Sequence, residues 1–169
     1  MIGNDKSFLE IIAANLANCG CDPVIAVLGA ESDKVRVHAR ILGIDLVENE
    51  RWQLGQFSSL KTGLMRVPIG YDGVMMTLVD CPMVIGKTYA RLYQAFEKER
   101  DKIIVPVYQG RRGHPVVLPA KMIDEIKTLT DNNNLRDQIR HHDDITRTLV
   151  VDDPGILHDI DTKEDLKAL

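Results

Sequence analysis

The stretch GVMMTLVD, residues 73–80, decides the fold class. It is apolar throughout apart from one threonine, and it ends abruptly in an acid, Asp80. A short, continuous apolar run of this kind predicts a strand that is buried on both faces. Strands buried in this way belong to sheets that are covered by helices on both sides.

Further strands and helices alternate along the rest of the chain. Similar apolar runs predict strands over residues 23–29, 44–48, 103–108, 116–118 and 146–151. Helical periodicity and capping signals predict helices from Ser7 to Gly20, over 32–42, from Ser58 or Ser59, over 88–99, 120–129 and 135–141, and after Thr162. This alternation predicts an α/β fold: a Rossmann-like, mostly parallel sheet with helices on both faces, in one domain over residues 1–169.

Composition excludes several classes of partner. The 169 residues carry a net charge of -4 with a pI near 5.7, which argues against a partner that is a nucleic acid or an anionic membrane. Cys19, Cys21 and Cys81 lack metal-ligand spacing, so we expect free thiols in a reducing compartment. No apolar run approaches the roughly 20 residues that span a bilayer, and we expect a cytoplasmic protein.

Carboxylates follow the predicted strands at two places. Ligands bind at the carboxyl ends of the strands in such sheets, where Asp80 would suit a magnesium-triphosphate. Alternatively, Asp80 only caps a turn. In HDIDT, residues 158–162, Asp159 and Asp161 would lie on one side of an extended segment and could share a divalent cation. The alternative is that Asp161 or Thr162 caps the last helix.

A cationic segment, GRRGHP, covers residues 110–115. Its adjacent Arg111 and Arg112 lie between glycines and would form a mobile loop suited to forked contacts with phosphate. A solvated turn with surface charge is the alternative, and His114 alone is a weak signal.

A glycine-containing segment, residues 51–63, opens a predicted helix. Gly55 precedes a first helical turn that holds Ser58, Ser59 and free amide donors, which is a common site for anions. Trp52 in the same segment is more simply explained as a core or loop anchor.

Four segments together resemble a known family. In chain order they are WxxGQxxSLxxG from Trp52, LVDCPMV (78–84), PVYQGRRGHPVVL (106–118) and VDDPGILHDIDTKEDL (151–166). Over nearly the whole chain they resemble the molybdenum cofactor cytidylyltransferase branch of the MobA-like nucleotidyltransferases, whose fold is of the nucleotide-diphospho-sugar transferase type. The resemblance implies transfer of CMP from CTP to molybdenum-molybdopterin with Mg²⁺ and release of pyrophosphate. It also implies a molybdenum hydroxylase as a possible acceptor.

The resemblance also implies roles for individual residues. Asp80 matches the family acid that holds the metal, and Asp161, with Asp159 as the weaker match, completes that catalytic site. The residues expected to contact the substrates are Arg111, Arg112 and His114 on the pterin side and Gly55 and Ser59 on the nucleotide side.

One family feature is missing from this sequence. Family members open with an apolar strand and a nucleotide-gripping loop, LAAGxSxRMGxxK, whereas GNDKSFLEII (3–12) matches only the family segment immediately after that loop. We therefore expect the first strand to be absent and little or no binding of CTP. The sheet should not keep an empty slot, because buried unpaired main-chain groups are costly. A partner chain or a shifted strand should fill it, or the two halves should pair directly.

Two other functions fit the same residues. One is a related transferase that uses another nucleotide or a sugar phosphate. The other is a catalytically inactive fragment that acts as a pterin-binding scaffold.

Overall fold

The computed structural model describes residues 6–30, 35–36, 43–162 and 164–165. Its helices are α1 (Phe8–Cys19), α2 (Gln56–Leu64), α3 (Gly86–Lys98), α4 (Ala120–Thr128) and α5 (Leu135–His141). Its strands are β1 (Ile25–Leu28), β2 (Asp45–Glu48), β3 (Gly73–Met76), β4 (Ile103–Tyr108), β5 (Arg111–Arg112), β6 (Val116–Pro119) and β7 (Thr146–Val150). The helix predicted over 32–42 lies outside the described residues, except that residues 35 and 36 are helical.

Local capping signals confirm two helix starts. Ser7 Oγ accepts from the Glu10 N–H at 3.3 Å, and Glu10 Oε2 accepts from the Ser7 N–H at 2.6 Å, which is the predicted capping box of α1. Thr162 and Asp165 form the same reciprocal pair before the last helix, at 3.1 and 2.8 Å. Gly20 ends α1 in the left-handed conformation, with φ 106°.

The strands form two sheets. β1 and β2 pair in parallel, while the larger sheet has the order β3-β6-β4-β5, with β7 parallel to β4. The α/β class is thus confirmed, but β6 runs antiparallel to both β3 and β4. Only residues 109–115 separate β4 from β6, and such a short connection allows antiparallel pairing alone.

Helices cover both faces of the larger sheet. Successive side chains of a strand point to opposite faces. Ile103 and Val105 of β4 pack in one cluster with α2, α4 and α5, whereas Ile104 packs in another with α3. This alternation of the β4 side chains confirms the prediction that helices cover both faces of the sheet. None of the helices in the described part of the chain is long and apolar enough to cross a membrane.

The two sheets stay apart. Within the described ranges no ladder joins β1 to β3, and a groove of about 830 Å³ lies between them. The expectation that the halves pair directly is therefore wrong. Helix α2 explains the spacing: its Leu60 and Leu64 belong to the core of the larger sheet, while a Cβ on Gly63 would meet Val27 of β1 at 2.9 Å.

β3 is shorter than predicted. It ends at Met76 rather than at Asp80, so residues without strand structure separate the strand from the acid. Its pairing with β6 spans only residues 73–76, and its other edge borders the groove. Because β3 pairs with β6 on one side alone in the described part of the chain, β3 ends where that pairing ends.

Candidate metal and nucleotide site

Two carboxylates and a thiol meet beyond the end of β3. Asp80, Cys81 and Asp159 each offer a ligand atom, and these atoms all lie within 4.8 Å of one another. The Cys81 thiol has one hydrogen to donate, and its Sγ lies 3.1 Å from Asp159 Oδ1 and 3.5 Å from Asp80 Oδ1. The Ile160 N–H donates to the Asp80 carbonyl at 2.8 Å, which fixes the C-terminal segment beside the loop after β3.

Asp161 lies outside this group. Its side chain is exposed, and its backbone N–H donates to Asp165 Oδ2 at 3.2 Å. The chain turns into the helix cap at this point, so the alternation of an extended segment no longer places Asp161 beside Asp159. The structure thus brings together Asp80 and Asp159 rather than Asp80 and Asp161.

The electrostatics of the group favour oxygen ligands. Burial raises the pKa of the Cys81 thiol well above its usual value, and the hydrogen bond to Asp159 and the charge of Asp80 raise it further. Cys81 is therefore a protonated donor at neutral pH, and a neutral thiol is a poor metal ligand. Carboxylate oxygens are the preferred ligands of Mg²⁺ and Mn²⁺. Asp80 and Asp159 could hold a hard divalent cation, with the Cys81 thiol between them.

His114 lies close to the same carboxylates. Burial lowers the pKa of the His114 imidazole, and the charges of Asp159 and Asp80 partly oppose that shift. Its backbone N–H donates to the Ile156 carbonyl at 3.1 Å. Ring atom Nδ1 is buried and has no hydrogen-bond partner among the residues that the structure covers. A buried ring nitrogen without a hydrogen-bond partner thus belongs to a residue that interacts electrostatically with Asp80 and Asp159.

Two glycines let the segments around the site approach closely. A Cβ on Gly113 would lie 2.1 Å from the Ile156 carbonyl oxygen, and one on Gly155 would lie 2.4 Å from the Met83 carbonyl oxygen. No side chain fits at either distance. The backbone of the segment after β7 therefore packs directly against the hairpin before β6 and against the loop after β3.

Asp153 supports the site and was not singled out in the sequence. Its side chain is buried, with 2% of the residue exposed. Oδ2 accepts from the Thr88 hydroxyl at 2.6 Å and from the Ile85 N–H at 3.1 Å. Oδ1 accepts from the Gly155 N–H at 3.0 Å. It thereby joins the segment after β7 to the start of α3. The signal was the Asp-Pro-Gly turn, in which aspartate accepts from the second following amide.

The predicted mobile arginine loop is instead a tight hairpin. Arg111 and Arg112 form β5 and pair with the end of β4. Gln109 and Gly110 form the turn with φ values of 47° and 78°, and two successive left-handed residues are typical of the two-residue turns that close hairpins. Both arginine side chains are exposed, and Arg112 Nη2 lies 2.9 Å from Asp143 Oδ1.

Gly55 and Ser59 lie at the start of α2. The N-cap of this helix is Gly55, with φ 93°, rather than Ser58 or Ser59 as predicted. The buried side chain of Asn49 forms hydrogen bonds with both serines. Its Nδ2 donates to Ser58 Oγ at 2.8 Å and to Ser59 Oγ at 3.0 Å. Ser59 lines the groove between β1 and β3, as does Val79, the neighbour of Asp80.

The fold is the α/β fold of the nucleotide-diphospho-sugar transferase type. Residues 1–145 match the family model described as the MobA-like NTP transferase domain, and the chain belongs to this family. The matched range includes Asp80, whereas Asp159 lies beyond it.

Three known proteins are similar to this chain over most of its length. Nicotine blue oxidoreductase of Paenarthrobacter nicotinovorans is 26% identical over 172 residues, covering 97% of this chain and 83% of that protein. The structure of Rv0371c from Mycobacterium tuberculosis in complex with manganese is 26% identical with a TM-score of 0.82, covering 98% and 86% of the two chains. Molybdopterin-guanine dinucleotide biosynthesis protein A from Archaeoglobus fulgidus is 14% identical with a TM-score of 0.69, covering 99% and 86%, and shares the fold.

Proposed function

We propose that this chain is a cytidylyltransferase that transfers CMP from CTP to molybdenum-molybdopterin and releases pyrophosphate. The observation that carries the proposal is the approach of Asp80 and Asp159 to within 4.8 Å beyond the end of β3. The structure of Rv0371c, a relative that is 26% identical, is a complex with manganese and supports a divalent cation as the metal.

The reaction forms a bond between a terminal phosphate oxygen of molybdopterin and the α-phosphorus of CTP, while the bond to pyrophosphate breaks. Asp80 and Asp159 would hold Mg²⁺, which supplies charge neutralisation for the phosphates when it is bound. The Cys81 thiol lies between the two carboxylates, within hydrogen-bonding distance of each, and can donate its one hydrogen to Asp159. Asp161 lies two residues further on, outside this group, and is assigned no direct contact with the cation.

The two substrates would approach from different segments. Arg111, Arg112 and His114 would bind the pterin phosphate: within the described segments Arg111 makes no ion pair, and Arg112 would exchange Asp143 for phosphate. Gly55 and Ser59 would lie beside the nucleotide, where the start of α2 offers main-chain N–H groups.

A transfer assay tests this function. The chain is incubated with molybdenum-molybdopterin, Mg²⁺ and millimolar CTP, GTP or ATP, and both pyrophosphate and the mass of the product are measured. We expect pyrophosphate and the cytosine dinucleotide, formed at least about 10-fold faster with CTP than with GTP, a difference of about 1.4 kcal/mol.

The other outcomes identify the alternatives. A preference for GTP, or transfer to a sugar phosphate, would assign a related transferase. Binding of molybdopterin without release of pyrophosphate would indicate a scaffold.

A further inference from the structure

Two half-buried thiols lie against each other at the end of α1. Cys19 is the last residue of the helix, the exposed Gly20 follows it, and Cys21 comes next. The two Sγ atoms are 3.7 Å apart, so that one thiol can donate its hydrogen to the other. A disulfide holds its two sulfurs about 2.05 Å apart. The two side chains therefore need to approach by less than about 2 Å to be linked.

Main-chain hydrogen bonds fix the turn that carries both thiols. Gly20 is left-handed, and its N–H donates to the Ala17 carbonyl at 3.1 Å, while the Cys21 N–H donates to the Leu16 carbonyl at 3.0 Å. Tyr93 of α3 packs against the turn, since a Cβ on Gly20 would lie 3.2 Å from its ring. The helix cap and this packing hold the two sulfurs side by side.

The surroundings give the two sulfurs different reactivities. A hydrogen bond from the Cys21 thiol lowers the pKa of Cys19, although partial burial opposes this shift. The same hydrogen bond and burial raise the pKa of Cys21. The dipole of α1 and a weak S–H donation from Cys19 to the Leu16 carbonyl, at 3.1 Å, oppose a thiolate at Cys19. A direct hydrogen bond to a charged sulfur is stronger than either effect, so Cys19 is the better nucleophile.

Cys81 is the third cysteine of the chain and behaves differently. It is fully buried, and burial raises the pKa of its thiol well above the usual value. A reagent in solution reaches it poorly, and it stays protonated at neutral pH. Cys81 is therefore a reference thiol within the same molecule.

We propose that Cys19 and Cys21 are a peroxide-reactive modification site, at which a hydroperoxide converts the two thiols into a reversible disulfide. An accessible, nucleophilic sulfur beside a second thiol is the arrangement that peroxides oxidise in this way. The turn supplies both parts within three residues. This inference does not depend on the transfer reaction.

The reaction has two steps. The Cys19 thiolate attacks a peroxide oxygen, the O–O bond breaks, and Cys19 becomes a sulfenic acid while the released hydroxide takes up a proton to form water. The Cys21 sulfur then attacks the Cys19 sulfur, the S–S bond forms, and hydroxide leaves with the Cys21 proton as a second water. With hydrogen peroxide, two thiols and one peroxide thus give one disulfide and two waters. A dithiol reductant restores both thiols by exchange.

Oxidation of the unmodified chain by hydrogen peroxide at pH 7 tests the proposal. Free thiols are counted with a chromogenic disulfide reagent, and the intact mass is measured. We expect the count to fall from three to one per chain, with the loss of two hydrogens in mass, and dithiothreitol to restore all three. Peptide mapping should place the bond between Cys19 and Cys21, formed at least about 10-fold faster than any oxidation of Cys81.

Single substitutions test the two roles. Cys21→Ser removes the second thiol, so Cys19 should stop at the sulfenic acid and be trapped by dimedone. Cys19→Ser leaves Cys21 alone, whose oxidation should be at least about 10-fold slower. Phenylarsine oxide binds two neighbouring thiols with loss of one water and without oxidation. One molecule should bind to the unmodified chain and none to either variant.

Several results would overturn the proposal. They are three free thiols after a treatment that oxidises a small-molecule thiol, oxidation of Cys81 as fast as Cys19, a bond from Cys19 to Cys81, and a bond between two chains on a non-reducing gel. Equal binding of the arsenical by the single variants would show that the sulfurs do not act as a pair. If a variant does not fold, the peptide map of the unmodified chain decides, because Cys81 is the reference in the same molecule.

Discussion

Asp80→Asn is expected to lower metal-dependent nucleotidyl transfer by roughly 100- to 1,000-fold, equivalent to about 3–4 kcal/mol of transition-state stabilisation. Asparagine has nearly the same shape, but it removes one of the two negative charges that would hold the cation. The acid lies in a loop beyond β3, where its Oδ1 is 3.5 Å from Cys81 Sγ, so the fold should persist. The transfer assay of purified protein, with circular dichroism as a check on folding, measures both effects.

The matched control is Asp124→Asn. Asp124 is an exposed carboxylate on α4, 81% accessible, and its replacement should leave transfer unchanged. Transfer by Asp80→Asn within about twofold of the unmodified chain would remove Asp80 from the reaction.

The second large effect concerns stability. Asp153→Ala is expected to lower the free energy of unfolding by about 3–5 kcal/mol. It leaves the Thr88 hydroxyl and the N–H groups of Ile85 and Gly155 without their acceptor, and an unsatisfied buried group costs about 1–3 kcal/mol. Because a domain is stable by only about 5–15 kcal/mol, the variant should unfold at markedly lower urea concentration.

Asp152 provides the control for this variant. It is the neighbouring acid and is exposed, so Asp152→Ala should change stability by no more than about 0.5 kcal/mol. Equal midpoints of urea unfolding for the two variants would contradict the role given to Asp153.

Local signals in the sequence predicted most element boundaries. The capping box of Ser7 and Glu10 and the left-handed Gly20 act within one or two helical turns, so their residues alone determine where α1 begins and ends. The β-branched run of β4 predicted that strand with its observed bounds, Ile103–Tyr108. These elements follow from spacing because their determinants lie nearby in the chain.

Features that depend on distant neighbours were not predicted. The end of β3 at Met76 depends on the length of its pairing with β6, which no residue within β3 encodes. The open groove depends on α2 packing against both sheets at once. The hairpin at Arg111 and Arg112 was treated as a loop because the left-handed turn at Gln109 uses a residue that rarely adopts it.

Two pairs of acids in the site also show that sequence alone does not predict which of two similar residues is buried or placed beside Asp80. Asp152 and Asp153 are identical in chemistry, yet only Asp153 is buried, because tertiary packing places it beside the start of α3. Asp159 and Asp161 were expected on one side of an extended segment, yet the chain turns into the helix cap at Asp161. Sequence spacing thus identified the segment that supplies the carboxylate. The turn at Asp161 determines that Asp159 is the residue beside Asp80.

Manganese binding to the unmodified chain and to two variants tests the central claim, that Asp80 and Asp159 hold a divalent cation. Electron paramagnetic resonance counts free Mn²⁺ during titration and needs neither nucleotide nor pterin. Asp159→Asn should weaken binding at least about 10-fold, while Asp161→Asn, altered two residues away outside the close group, should weaken it by less than about threefold. Undiminished binding by Asp159→Asn, or a greater loss in Asp161→Asn, would contradict the account.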